Sequence, residues 1–99
     1  MINALSNEAL EQALTTLNSK VDSDKHWQLK EGKLYRLFKF DDFSSAFSWM
    51  TKMAIWAEKQ DHHPEWFNVY NRVEVYLTTH DAGGISERDF KLAEVMNKG

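Results

Sequence analysis

Three of the four histidines in this 99-residue chain, His62, His63 and His80, stand beside residues that could work with them in proton transfer. His62 and His63 fall in the run Asp61-His62-His63-Pro64, with Glu58 one helical turn upstream. An imidazole of ordinary pKa, ~6.5, can give or take a proton near neutrality. When positioned against a substrate, such a group contributes roughly 10²- to 10⁴-fold in rate. Glu58 and Asp61 are close enough in sequence to orient or tune a ring. Pro64 draws His63 out of helical geometry. The two neighbouring rings should therefore project differently, one above a ligand and one at its edge. Spacing alone leaves a blander reading open, because such a run is more often a polar loop after a helix. Three histidines can also bind zinc. Adjacent histidines rarely share one ion, however, His-Glu-x-x-His is absent and the chain has no cysteine, so no metal is expected. His26 has no partner in the pattern and reads as a surface or ligand-rim residue. No serine nucleophile motif, P-loop or dinucleotide glycine fingerprint occurs. Gly83-Gly84 ahead of Ser86 gives only a weak anion-binding signal.

These side chains need a scaffold, and the apolar spacing supplies one. Leu10, Ala13, Leu14 and Leu17 fit a first helix over about residues 7–18, capped by Ser6. Residues 27–29 and 34–40 read as a hairpin turning at Glu31-Gly32. Asp42 is placed to cap a long helix over about residues 43–60. Phe43, Ala46, Phe47, Met50, Ala54 and Ala57 form one apolar stripe on it, and Trp49, Met53 and Trp56 form a second. So wide an arc is usually buried on two sides. The second side would meet either the sheet or another subunit. Pro64 requires the helix to end before it. Residues 67–70 and 73–79 read as a second hairpin with its turn at Asn71-Arg72, placing Val73, Val75 and Leu77 on one face. His80 and Asp81 then lie where the strand runs out. Ser86-Glu87-Arg88-Asp89 matches a capping box opening a last helix, with Phe90, Ala93 and Val95 or Met96 inward. The order α-β-β-α-β-β-α predicts an α+β fold: a four-stranded antiparallel sheet with three helices packed on one face.

Composition limits what the scaffold can serve. Ninety-nine residues make one domain, residues 1–99. Hydrophobic residues at 42% and charged residues at 27% give an ordinary globular balance. Four tryptophans are many for this length, so some aromatic surface is available to a ligand or a partner subunit. The net charge is -3 and no run of Lys or Arg occurs, which argues against direct nucleic-acid binding. Without cysteine there are no disulfides. The segment Met1-Ile2-Asn3-Ala4-Leu5-Ser6 has no signal-peptide pattern, and no apolar run approaches a membrane span. A cytoplasmic protein without membrane attachment is expected.

The spacing Glu58-x-x-x-His62-His63-Pro64, then five residues to Tyr70, nine to His80 and eight to Asp89, resembles the signature of the pterin-4a-carbinolamine dehydratases. The likeness runs through residues 57–71 and 86–89, and upstream through Trp27 and residues 40–53. It spans about three quarters of the chain and leaves out the first 25 residues. The resemblance implies a lyase that dehydrates 4a-hydroxytetrahydrobiopterin to quinonoid dihydropterin, recycling the pterin of aromatic amino-acid hydroxylases. Such a hydroxylase would be a pathway partner. No cofactor is implied, since the pterin is the substrate. His62, His63, His80 and Glu58 would be the catalytic set, with Glu58 tuning the imidazoles. Asp61, Thr78, Thr79, Asp81 and Trp27 would join the histidines in binding substrate. Pro64, Arg88 and Asp89 would support the pocket's frame. The family forms dimers and tetramers. The alternative the resemblance carries is an interaction protein, either a dimerisation cofactor of a homeodomain transcription factor or an assembly factor.

Overall fold

A computed structural model describes residues 2–99; Met1, the first residue of the signal-peptide reading, lies outside them. The first helix, α1, is Asn7–Asn18, and Ser6 Oγ accepts from the Ala9 N–H at its start. A short 3-10 turn, Ser23–Lys25, leads to strands β1 (Gln28–Lys30) and β2 (Lys33–Lys39). Helix α2 is Phe43–Gln60, strands β3 and β4 are Glu65–Val69 and Arg72–Leu77, and helix α3 is Glu87–Lys98. All strand pairs are antiparallel in the order β1-β2-β4-β3, the α-β-β-α-β-β-α arrangement read from the sequence.

The strands depart from expectation at their ends, each for a local reason. β1 starts at Gln28 rather than Trp27 because the Asn18 side chain takes both backbone groups of Trp27, accepting from its N–H at 2.8 Å and donating to its carbonyl at 2.9 Å. β3 starts at Glu65 rather than Phe67, directly after Pro64. The second hairpin turns at Tyr70-Asn71 rather than Asn71-Arg72, since Val69 pairs with Arg72 and Tyr70 takes the left-handed conformation at φ 51°. β4 ends at Leu77, and Thr79 instead bridges to Gly84, closing the loop that carries His80.

One face of the sheet carries the core. Leu34, Phe38, Val73, Val75 and Leu77 are buried there under Ala46, Trp49 and Met53 of α2 and Phe90, Leu92, Ala93 and Met96 of α3. The two apolar stripes expected on α2 divide differently. Trp49 and Met53 pack under the sheet with Ala46 and Ala57, whereas Phe43, Phe47 and Trp56 remain exposed. Leu92, not singled out in the sequence, is fully buried, and Val95 is only half-buried. Among the described residues no helix is long and apolar enough to cross a membrane.

The Asp42 carboxylate fixes where α2 begins, accepting from the Ser45 N–H at 2.8 Å. That hydrogen bond holds the Asp42 carboxyl below the usual carboxylate range. Because the folded-state value is the lower one, the stabilisation is complete above the unfolded-state pKa and is lost as pH falls through the folded one. Asp42→Ala should therefore lower stability at neutral pH. The gap between wild type and variant in urea unfolding should narrow in acid, and a gap independent of pH would contradict the assignment.

Candidate active site

Helix α2 ends in a way that sets two histidines side by side but in different surroundings. Asp61 takes the left-handed conformation at φ 50°, the position at a helix C-terminus that glycine usually fills. The His62 N–H then reaches back to the Ala57 carbonyl at 3.0 Å and the Asp61 N–H to that of Glu58 at 3.1 Å. The chain reverses and carries the His62 ring inward, where the residue is only 8% exposed. His63, held extended by Pro64, stays at the surface, and its Nε2 meets Glu58 Oε1 at 2.5 Å.

The inward ring lands on a carboxylate. Asp89, in the first turn of α3, is fully buried, and its Oδ1 lies 2.5 Å from His62 Nε2. Its other oxygen accepts from Thr79 Oγ1 at 2.8 Å and from the Ser86 N–H at 2.9 Å. The remaining protons follow by elimination. With the Thr79 hydroxyl donating to Asp89, the Ser86 hydroxyl 2.6 Å away must donate to Thr79, and Ser86 Oγ accepts from the Arg88 N–H. The capping box expected at residues 86–89 is thus present, and its acidic member also serves the site. An accepting carboxylate places the His62 proton on Nε2. Among the described residues its Nδ1 has no protein partner.

Around these groups lies an open cavity of about 250 Å³ lined by Asp61, His62, His63, Thr78, Thr79, His80, Asp81 and Arg88. That is just under the size usual for drug-sized ligands, so it suits a small flat molecule left partly in solvent. Three imidazoles share one rim, and each has Nε2 on a carboxylate: His62 on Asp89, His63 on Glu58, and His80 on Glu65 at 3.3 Å. His80 opens a 3-10 turn, His80–Ala82, which the left-handed Gly83 closes. The hollow lined by Leu37, Phe67, Val69, Arg72 and Glu74 on the open sheet face holds no histidine. Among the described residues no three ligating side chains are grouped to hold a metal ion.

Two expectations need correction. Trp27 does not wall the cavity. It is 1% exposed, packs edge-on against Phe38, and donates its indole N–H to Asn97 Oδ1 at 2.8 Å, which makes it a core residue. The Arg88 side chain is exposed and lines the cavity, so it joins the frame only through its backbone N–H, whereas Asp89 joins it through its carboxylate. Glu58 stands outside the lining and reaches the site through His63. Glu65, which the motif does not mark as a site residue, contacts His80. Its position directly after Pro64 was the available signal, but the strand register that brings it to His80 is not written locally. His26 is exposed on a separate part of the surface.

The comparisons with known proteins show the family and the fold. A family model described as pterin 4 alpha carbinolamine dehydratase matches residues 3–99. A relative from Rhizobium leguminosarum bv. trifolii is 50% identical over 93 residues, covering 92% of this chain and 90% of its own. Another from Rhizorhabdus wittichii is 53% identical over 78 residues, covering 77% and 80%. Both carry the provisional name pterin-4-alpha-carbinolamine dehydratase. A crystal structure from Brucella melitensis, described as a transcriptional coactivator/pterin dehydratase, superposes with a TM-score of 0.85 at 46% identity over 97% of each chain.

Removing the buried carboxylate should be costly because three donors lose their acceptor at once. Asp89→Ala is expected to destabilise the protein by about 3 kcal/mol. Urea unfolding measures this, and a loss below ~1 kcal/mol would show that water replaces the carboxylate freely.

Proposed function

The chain belongs to the pterin-4a-carbinolamine dehydratase family, and from that premise we propose that it removes water from a 4a-hydroxytetrahydropterin by histidine acid–base catalysis. The observation that carries this reading is the convergence of His62, His63 and His80 on one small cavity, each ring paired with a carboxylate. The substrate is a carbinolamine, with its hydroxyl and ring nitrogen N5 both bonded to one carbon, C4a. One proton must reach the leaving hydroxyl and one must leave N5. The C4a–O bond breaks as the C4a–N5 double bond forms, giving quinonoid dihydropterin and water with no change of electron count.

The rings divide by environment. His62 is held rigidly by Asp89, which suits it to bind the heterocycle and share in the acid–base work. His63 and His80 are exposed, so they can exchange protons with water between turnovers, and we assign them the transfers at the hydroxyl and N5. Glu58 tunes His63 through their contact. Asp61 and Asp81, on the cavity wall, are acceptors suited to the amino and N–H edge of a pterin. Supply of the substrate by a pterin-dependent aromatic hydroxylase, with recycling to the reduced pterin, is part of the same proposal.

A second reading has its own support. Phe43 and Phe47, one turn apart on α2, are exposed, with their rings 5.7 Å apart. The Brucella melitensis neighbour is described as a coactivator as well as a dehydratase. We propose that this face of α2 meets a second copy of the chain, in a dimer or tetramer, with a different protein partner as the alternative. A monomer by mass measurement at micromolar concentration would remove the self-association reading.

The test of the main proposal is dehydration of freshly generated 4a-hydroxytetrahydropterin, with the uncatalysed rate subtracted. His63→Ala and His80→Ala should each slow turnover by roughly 10²-fold or more while the circular dichroism spectrum stays unchanged. Wild-type turnover in the double variant would reject the mechanism.

A further inference from the structure

Glu65 opens β3 on the sheet face away from the helices, since its neighbour Trp66 packs toward Trp49 and the core. Register places Glu65 opposite Tyr76 of β4, and Tyr76 opposite Tyr35 of β2. The carboxylate therefore stands between the beginning of β2 and the loop that follows β4. It uses both oxygens there. Oε1 accepts from Lys33 Nζ at 2.7 Å, and Oε2 lies 3.3 Å from His80 Nε2. An ammonium, a carboxylate and an imidazole thus form a line across the end of the sheet, ending at the cavity rim.

We infer that Glu65 is a positioning residue for His80, and that Lys33 positions Glu65 in turn. The inference rests on the proposed part of His80 in proton transfer. The His80 side chain is 82% exposed, and among the described residues Glu65 is its one charged partner. Without that contact nothing holds the ring in one rotamer above the cavity. The contact favours a proton on Nε2, with the lone pair on Nδ1. Lys33 keeps the carboxylate in place as an acceptor, and its hydrogen bond is the main reason the Glu65 carboxyl titrates below the usual range. Exposed ion pairs add little to stability, so the variants should fold, and any loss of rate reports placement of the ring.

The experiment is a set of double-mutant cycles in the dehydration assay. Glu65→Ala should lower kcat about tenfold with KM within about twofold, because the ring is misplaced rather than removed. Lys33→Met should lower kcat less, and should add nothing in the Glu65→Ala background. Glu65→Ala should add nothing in the His80→Ala background. Independently of activity, 15N shifts of the His80 ring should report a dominant Nε2–H form in wild type and a mixed population in Glu65→Ala. An unchanged kcat in Glu65→Ala where His80→Ala is impaired would overturn the inference, as would additive losses from Lys33→Met and Glu65→Ala or an unaltered tautomer population. Full turnover in His80→Ala together with a shifted tautomer would instead remove the catalytic part of His80 and leave the contact with Glu65 standing.

Discussion

A buried carboxylate is expensive to desolvate unless its oxygens are hydrogen-bonded, and Asp89 sets both oxygens against three donors. Those donors come from the ends of three different elements. The His62 ring follows α2, the Thr79 hydroxyl follows β4, and the Ser86 N–H precedes α3. The one side chain that starts the last helix therefore also fixes where the long helix ends relative to the sheet. The network has no slack, because each hydroxyl in it both donates and accepts. The cavity lies directly over this junction.

Rigidity falls off from that junction outward. His62 is enclosed, whereas His63 and His80 are open to solvent and meet carboxylates at the surface. This gradient suits a reaction that transfers protons twice and must reset. An enclosed ring keeps its orientation but exchanges slowly with water, while exposed rings exchange freely and need help to stay in place. Glu58 and Glu65 stand where that help is needed.

Features set by neighbouring residues were legible in the sequence. The three helices and their capping residues Ser6, Asp42 and Ser86 stand where apolar spacing and side-chain chemistry place them. The cavity residues that belong to the motif lie close together because the motif spans two adjacent element ends. Errors arose where a long-range contact decides. Trp27 looked available to a ligand, but Asn97, 70 residues away, satisfies its indole N–H and lets it sink into the core. Glu65 escaped notice because its reach to His80 depends on strand register, and Lys33 because it belongs to another strand altogether. On α2, periodicity found the apolar arc but could not say which part the sheet would cover.

Asp61 occupies a backbone conformation that costs an L-residue about 1–2 kcal/mol and glycine almost nothing. A sequence optimised only for thermal resistance would carry glycine there, and the helix end would be more secure for it. The carboxylate that faces the cavity from this position would be gone. The end of α2 is thus a point where durability and chemistry ask for different residues. Efforts to harden this protein by consensus or loop redesign would do best to leave that residue alone.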